Sequence, residues 1–193
     1  MNNGNFDSGR TAWRESTAVN NKLICTSTSC GTAINPHTQR YLAWLGGDNS
    51  ETSQISQRIR LPAEPVLRLS YWYRVKSTDM CNYDYANLRL TVDGITRTLK
   101  TYNLCASRNT STWVNAQIDL SAYAGKTVDL IFRVRNDATA VSSFFVDDVA
   151  IVNPIVCQSS AAPLRADNGP GVDSAPSAQT MPAVPASAAQ SQQ

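Results

Sequence analysis

Aliphatic or aromatic residues alternate with polar ones through much of the first 150 positions of the chain. In the stretch 67–75 every second residue is aliphatic or aromatic, and the stretches 88–92 and 127–135 follow nearly the same rhythm. A period of two is typical of half-buried β-strands, because successive side chains of a strand point to opposite faces. The pattern therefore predicts strands rather than helices.

Turn-forming residues separate these runs. Asp93-Gly94 lies between two apolar residues and favours a type I′ turn, in which both central residues need a positive φ. About nine short strands without a convincing amphipathic helix predict an all-β fold of two antiparallel sheets packed face to face. Periodicity alone leaves open whether this is a jelly-roll sandwich or an immunoglobulin-like one. The further strands are predicted at 41–45, 55–61, 95–101, 113–120 and 144–152.

The stretch 158–193 has a different composition. Ala, Pro and Ser supply 20 of its 36 positions, and it contains no aromatic residue. Such a stretch buries too little apolar surface to offset the entropy lost on ordering it. We therefore expect a folded unit at 1–157, followed by a disordered tail or linker at 158–193.

Charge and hydropathy exclude several classes of protein. With 17 Lys and Arg against 15 Asp and Glu, and no basic run of five, the sequence does not predict nucleic-acid binding. It shows neither a membrane span nor an export signal. Five cysteines nevertheless fit an oxidising compartment better than the cytosol. We expect a piece of a longer secreted chain, located outside the cell.

Five short motifs occur in an order that is found in a known group of proteins. Across 3–152 they together resemble the accessory β-sandwich modules beside catalytic domains of secreted bacterial proteins, especially peptidases. They are also similar to carbohydrate-binding modules of the galactose-binding-like jelly roll and, more distantly, to MAM domains. The resemblance implies a jelly roll with a non-catalytic role. The motifs are 3–9 with Trp13, Pro36-His37 with 41–47, 69–73, 119–128 and 143–149.

Acidic residues near both ends of the folded unit form a candidate calcium site. Ca²⁺ takes six to eight oxygen ligands, which these side chains and nearby carbonyls can supply if the terminal strands are neighbours. The resembling modules carry a structural calcium at the positions of Asp7 and Asp147-Asp148. Because adjacent strand residues point to opposite faces, we expect only one of Asp147 and Asp148 to be a ligand. The alternative is a set of solvated turn residues. The candidate ligands are Asn5, Asp7, Asp48, Asp147 and Asp148.

A surface for a substrate is the second candidate site. If the apolar residues of 67–75 face the core, Arg68, Trp72 and Arg74 face outward, and Arg89 does so on its own strand. Arginine pairs with carboxylates and a tryptophan ring stacks on sugars, so these four are the candidate ligand-binding residues. The alternative is that these are ordinary outward residues and that a loop covers Trp72.

Aromatic and cysteine residues complete the structural expectations. The resembling modules use an aromatic residue in the core where Trp13, Trp44 and Trp113 stand, so we expect all three to be buried. Cys25 and Cys30 close a short loop, as in the relatives, and Cys81 and Cys105 flank the hairpin around Asp93-Gly94, so two disulfides are predicted. Cys157 is then left as a free thiol or as a link to another chain in a covalent dimer.

The sequence gives little support for catalysis. His37 is the only histidine, and no nucleophile elbow, zinc-protease motif or phosphate loop is present. We therefore expect a non-catalytic, secreted binding module, covalently linked in the parent chain to a hydrolase, with a peptidase favoured. It would bind a protein or polysaccharide substrate and a structural calcium. An adhesion module like the MAM domains, or a purely structural domain, is the alternative.

Overall fold

The computed structural model describes residues 1–19 and 22–154, and over them ten strands form two five-stranded antiparallel sheets. Sheet I has the strand order β1-β4-β9-β6-β7, and sheet II has the order β2-β3-β10-β5-β8. This confirms the predicted all-β, two-sheet jelly-roll sandwich. The expectations for 158–193 and for Cys157 lie outside the described residues. The strands are β1 (Arg14–Thr17), β2 (Ile24–Cys25), β3 (Leu42–Gly46), β4 (Thr52–Arg60), β5 (Arg68–Ser77), β6 (Asp84–Val92), β7 (Ile95–Leu104), β8 (Val114–Asp119), β9 (Thr127–Arg135) and β10 (Ser142–Val152).

The long strands follow the alternation in the sequence closely. β9 occupies the predicted stretch 127–135, and the Asp93-Gly94 hairpin is present, with φ of 50° and 78° and Val92 paired with Ile95. The two short strands β1 and β2 were not predicted, because two to four residues are too few for a period to show. One turn of helix, α1 (Ser27–Cys30), follows β2.

The main hydrophobic core lies between the sheets. Leu69 and Tyr71 of β5 face Phe132 of β9, whose ring contacts Tyr71 edge-on with 5.1 Å between centroids. Trp13 is 6% exposed and packs on Phe6, which confirms its predicted place in the core. Burial of the inner face of each sheet is the main force that holds the two sheets together.

A second, smaller cluster covers the outer face of sheet II. It consists of Cys25, Ile34, Leu42 and Phe145, so the segment after β2 lies over β3 and β10. Trp44 and Trp113 pack against this cluster and are only partly buried. The expectation that both belong to the main core was therefore wrong: on β3, Leu45 points into the sandwich and Trp44 consequently points out.

Two contacts fix the ends and the loops of the sandwich. Val149 N–H donates to the Gly4 carbonyl at 2.8 Å, and a Cβ on Gly4 would overlap the Val149 carbonyl oxygen, so the first loop packs directly on β10. Both predicted disulfides, Cys25–Cys30 and Cys81–Cys105, are confirmed.

Within the described ranges, no helix is long and apolar enough to span a membrane.

Candidate functional site

The two carboxylates of Asp147 and Asp148 contact the same loop, 36–40. Asp147 Oδ2 accepts the N–H groups of His37 and Thr38 at 2.9 and 3.3 Å, and Asp148 Oδ1 accepts the Thr38 hydroxyl at 2.6 Å. A β-bulge begins at Asp147, and Asp148 has a φ of 46°. Because a bulge breaks the alternation of side chains, the expectation that these neighbours point to opposite faces was wrong.

Asp147 is completely buried. Burial raises the pKa of its carboxyl group to about 7, and the nearby charge of Asp148 also raises it. Three backbone N–H donors, those of Asp148, Thr38 and His37, act in the opposite direction and lower the pKa. Asp148 in turn lies 2.5 Å from His37 Nδ1. A buried carboxylate with a raised pKa favours either a proton or a nearby cation.

Asp7, which precedes β1, contacts loop 36–40 from another side. Arg40 N–H donates to Asp7 Oδ1 at 3.2 Å, and the Asn5 side-chain amide donates to Asp7 Oδ2 at 3.0 Å. Loop 36–40 therefore contacts the acidic residues of both chain ends. We call Asn5, Asp7, Asp147, Asp148 and loop 36–40 the junction.

Asp48 does not belong to the junction. Its backbone carbonyl accepts the Asn136 amide, next to the start of β10, where Gly46 pairs with Ser143. Asp147 lies four residues further along β10, which is about 13 Å in a strand. The structure thus brings Asp7, Asp147 and Asp148 to one loop, with Asn5 hydrogen-bonded to Asp7, and leaves Asp48 near the start of β10.

Three of the four predicted ligand-binding residues lie on sheet II and are partly engaged. The Trp72 ring is covered by the His37 ring, with 3.9 Å between centroids and 17° between planes. Arg68 donates to the Gln117 side chain, and Arg74 donates to the Ser111 carbonyl at 2.9 Å. This part of the structure corresponds to the alternative interpretation, in which a loop covers Trp72.

Arg89 lies on sheet I, so the four residues do not form one surface. It borders an open depression of about 360 Å³ on the outer face of β6, β7 and β9. Cross-strand pairing places Tyr85 beside Arg135 and Asn87 beside Arg133, which makes two adjacent polar rows. We call this surface the arginine face; it is lined by Tyr85, Asn87, Arg89, Thr98, Thr101, Arg133 and Arg135.

The charged side chains that line the arginine face are all arginines. Among the described residues, none of the ion pairs involves Arg89, Arg133 or Arg135. Three guanidinium groups on neighbouring strands therefore have no carboxylate within ion-pair distance in the described part of the chain. Guanidinium forks form paired hydrogen bonds with carboxylate and sulfate-like groups.

A cluster of three acidic residues, which we did not predict, lies in the turns at one end of the sandwich. Asp79, Asp84 and Asp137 each bring a carboxylate oxygen within 4.8 Å of the other two, and the first two residues are 6% and 0% exposed. These three side chains could hold a metal ion. The sequence signal is weak, because each is a single Asp beside a strand end and 53 residues separate Asp84 from Asp137.

Comparison with known proteins agrees with the fold. No protein-family model matches the chain. The solved structure of TmCBM61 in complex with β-1,4-galactotriose superposes with a TM-score of 0.57 at 20% identity, covering 79% of this chain and 97% of that one. The K3 cleaved adhesin domain of Lys-gingipain from Porphyromonas gingivalis gives a TM-score of 0.56 at 15% identity, covering 78% and 97%. The described residues thus have the jelly-roll fold of carbohydrate-binding modules and gingipain adhesin domains.

Two curated relatives, the same protease from two strains, are similar in sequence. The pre-pro-metalloprotease PrtV of Vibrio cholerae is 29% identical over 110 residues, which is 51% of this chain and 12% of that protein. The match covers only a small part of a much longer protease. It agrees with the resemblance to accessory modules of bacterial peptidases.

Proposed function

We propose that this chain is a non-catalytic, extracellular accessory module that binds a polysaccharide bearing acidic groups through the arginine face. In the parent chain it would be covalently linked to a hydrolase, of which a peptidase is favoured. The observation that carries the proposal is the uncovered face of sheet I, with Arg89, Arg133 and Arg135 free of ion pairs among the described residues.

A loop covers the outer face of sheet II but not the arginine face of sheet I, and this supports the choice of the arginine face. On sheet II, His37 stacks on Trp72, and the Trp113 indole N–H donates to the Asn35 carbonyl, so a loop occupies the space that a ligand would need. The depression on sheet I stays open. An open, nearly flat face suits an extended chain better than a small molecule, which favours an enclosed pocket.

The side chains of the arginine face have the chemistry that a sugar ligand requires. The Tyr85 ring offers an apolar surface for stacking, and Asn87 beside Arg133 offers donors and an acceptor for hydroxyl groups. The guanidinium groups favour uronic acids or sulfate esters over neutral sugars. The binding partner in this proposal is therefore an acidic polysaccharide, and an acidic protein substrate is the second outcome that the test can give.

The benefit to the linked enzyme would be local concentration. A weak binding module that stays near its substrate raises the effective concentration of that substrate at the active site without changing the chemistry. The resemblance to PrtV and the two disulfides support an accessory module in an oxidising, extracellular location.

We further propose that the junction holds a structural calcium ion. Asp7 and Asp148 would be carboxylate ligands, Asn5 would contribute oxygen, and Asp147 would position loop 36–40 through the N–H groups of His37 and Thr38. The approach of Asp148 and Asp7 to the same loop supports this, since Asp148 accepts the Thr38 hydroxyl and Asp7 accepts the Arg40 N–H.

Affinity electrophoresis tests the ligand proposal. We expect retardation in gels containing polygalacturonate, a smaller effect with neutral galactan, and loss of retardation in the Arg133→Ala/Arg135→Ala variant. Arg68→Ala is the matched control, because it removes the same side chain from the opposite sheet and should bind normally. Retention by the double variant together with loss in Arg68→Ala would contradict the choice of face. Binding only to casein or collagen would indicate a protein substrate instead.

A further inference from the structure

The acidic cluster of Asp79, Asp84 and Asp137 connects two turns at the end of the sandwich. Asp79 follows β5 and Asp84 begins β6, while Asp137 lies between β9 and β10. On β5, Trp72 pairs with Asp147, and Ser77 is five residues further along, which is about 16 Å in a strand. The acidic cluster is therefore separate from the junction.

In each of the three carboxyl groups, Oδ1 already accepts a hydrogen bond. The donors are the N–H groups of Met80, Asp137 and Thr139, at 2.7, 2.7 and 2.8 Å. The second oxygens behave differently: Oδ2 of Asp79 and Oδ2 of Asp84 are buried and have no hydrogen-bond partner.

Two buried carboxylate oxygens without a donor, beside a third carboxylate, need a positive partner. None of the ion pairs in the described part of the chain includes Asp79, Asp84 or Asp137. Without a cation, this arrangement is therefore unfavourable in its ionised form.

We propose that Asp79, Asp84 and Asp137 bind a second calcium ion, independent of the junction. All the donor atoms are oxygens, which excludes a preference for zinc or copper and favours a hard cation. Calcium fits better than magnesium because the three ligands come from two different turns, and Ca²⁺ accepts irregular geometry whereas Mg²⁺ requires a nearly ideal octahedron.

The ion would hold together the loops that border the arginine face. Asp84 directly precedes Tyr85, which lines that face, and Asp137 follows Arg135 by two residues. The Asp137 carbonyl also accepts the Ser50 N–H from the loop between β3 and β4, so a third loop meets the site. The site would thus order one edge of the ligand surface.

The experiment compares calcium binding in variants of the full chain after removal of metal with EDTA. Calorimetric titration with CaCl₂ should show that Asp79→Asn/Asp137→Asn loses one bound Ca²⁺ per chain, or at least tenfold in the affinity of one site. Asp93→Asn is the matched control: it removes the same charge from the exposed hairpin turn and should bind as the wild type does. Asp7→Asn affects only the junction, so failure of the junction proposal and failure of this one remain distinguishable.

A second measurement on the wild-type chain covers the case in which the double variant does not fold. In ¹H–¹⁵N NMR spectra, CaCl₂ should shift the backbone amides of residues 79–84 and 136–139, and MgCl₂ at the same concentration should leave them in place. Unchanged amides in these segments would overturn the proposal. So would a folded double variant with the stoichiometry and affinity of the wild type, and so would a response to magnesium alone.

Discussion

The buried carboxyl group of Asp147 makes the stability of the calcium-free chain depend on pH in an unusual direction. Its pKa rises from 3.8 to about 7 on folding, mainly because burial disfavours the charged form. A group with a raised pKa in the folded state contributes its full stability below the pKa of the unfolded state. That contribution falls as the pH rises toward 7 and is absent above it.

The size of the effect follows from the shift. About three pKa units correspond to about 4 kcal/mol at 1.36 kcal/mol per unit, as an order of magnitude. Replacement of Asp147 by Asn removes this titration. The free energy of unfolding of Asp147→Asn, minus that of the wild type, should therefore increase by about 4 kcal/mol between pH 4 and pH 8.

Urea unfolding in EDTA at pH 4, 5, 6, 7 and 8 measures this difference. The slope with pH is diagnostic, whereas the offset is not, because the Asn amide also alters the hydrogen bond from the Asp148 N–H. Asp84, whose pKa is also raised by burial, titrates in both proteins, so its effect cancels from the difference. Parallel curves for wild type and variant would refute the reasoning. In saturating CaCl₂ the difference should become smaller if the junction binds the ion.

Three further variants test other parts of the structure. Gly4→Ala places a methyl group against the Val149 carbonyl and should cost about 1–3 kcal/mol in urea unfolding, and an unchanged midpoint would contradict that packing. Replacement of Cys81 and Cys105 by Ser opens a loop with a sequence separation of 24 and should lower the free energy of unfolding by about 3 kcal/mol relative to the oxidised wild type, and equal unfolding midpoints would contradict this. Trp72→Ala should leave retention on polygalacturonate unchanged, because His37 covers that ring; loss of binding in affinity gels would place the ligand on sheet II.

Regular alternation made most of the fold predictable from the sequence. The full length of β9 was predicted, because in a strand that is buried on one side each residue is apolar or polar according to the face it occupies. The two disulfides followed from short loops and from the flanks of one hairpin. Jelly-roll topology, in contrast, depends on strand order, which periodicity does not contain, and only the motif resemblance indicated it.

The sites were less predictable for three physical reasons. A single bulge with a positive φ at Asp148 reversed the expected direction of one carboxylate. Outward alternation identified Arg89 and Trp72 as surface residues, but it does not tell which sheet a strand joins. Asp79, Asp84 and Asp137 meet only because two turns close at the same end of the sandwich, and a sequence without tertiary contacts gives no such distance.

Loop 36–40 contacts Asp147 through the backbone N–H of His37, and the ring of the same residue stacks on Trp72. The indole emission of Trp72 is consequently sensitive to the position of this loop. A shift of the loop by a fraction of a ring width would change the overlap of the two aromatic planes and hence the quenching. Trp72 is therefore an optical reporter, within the unlabelled chain, of events at Asp147 and Asp148 in the middle of β10.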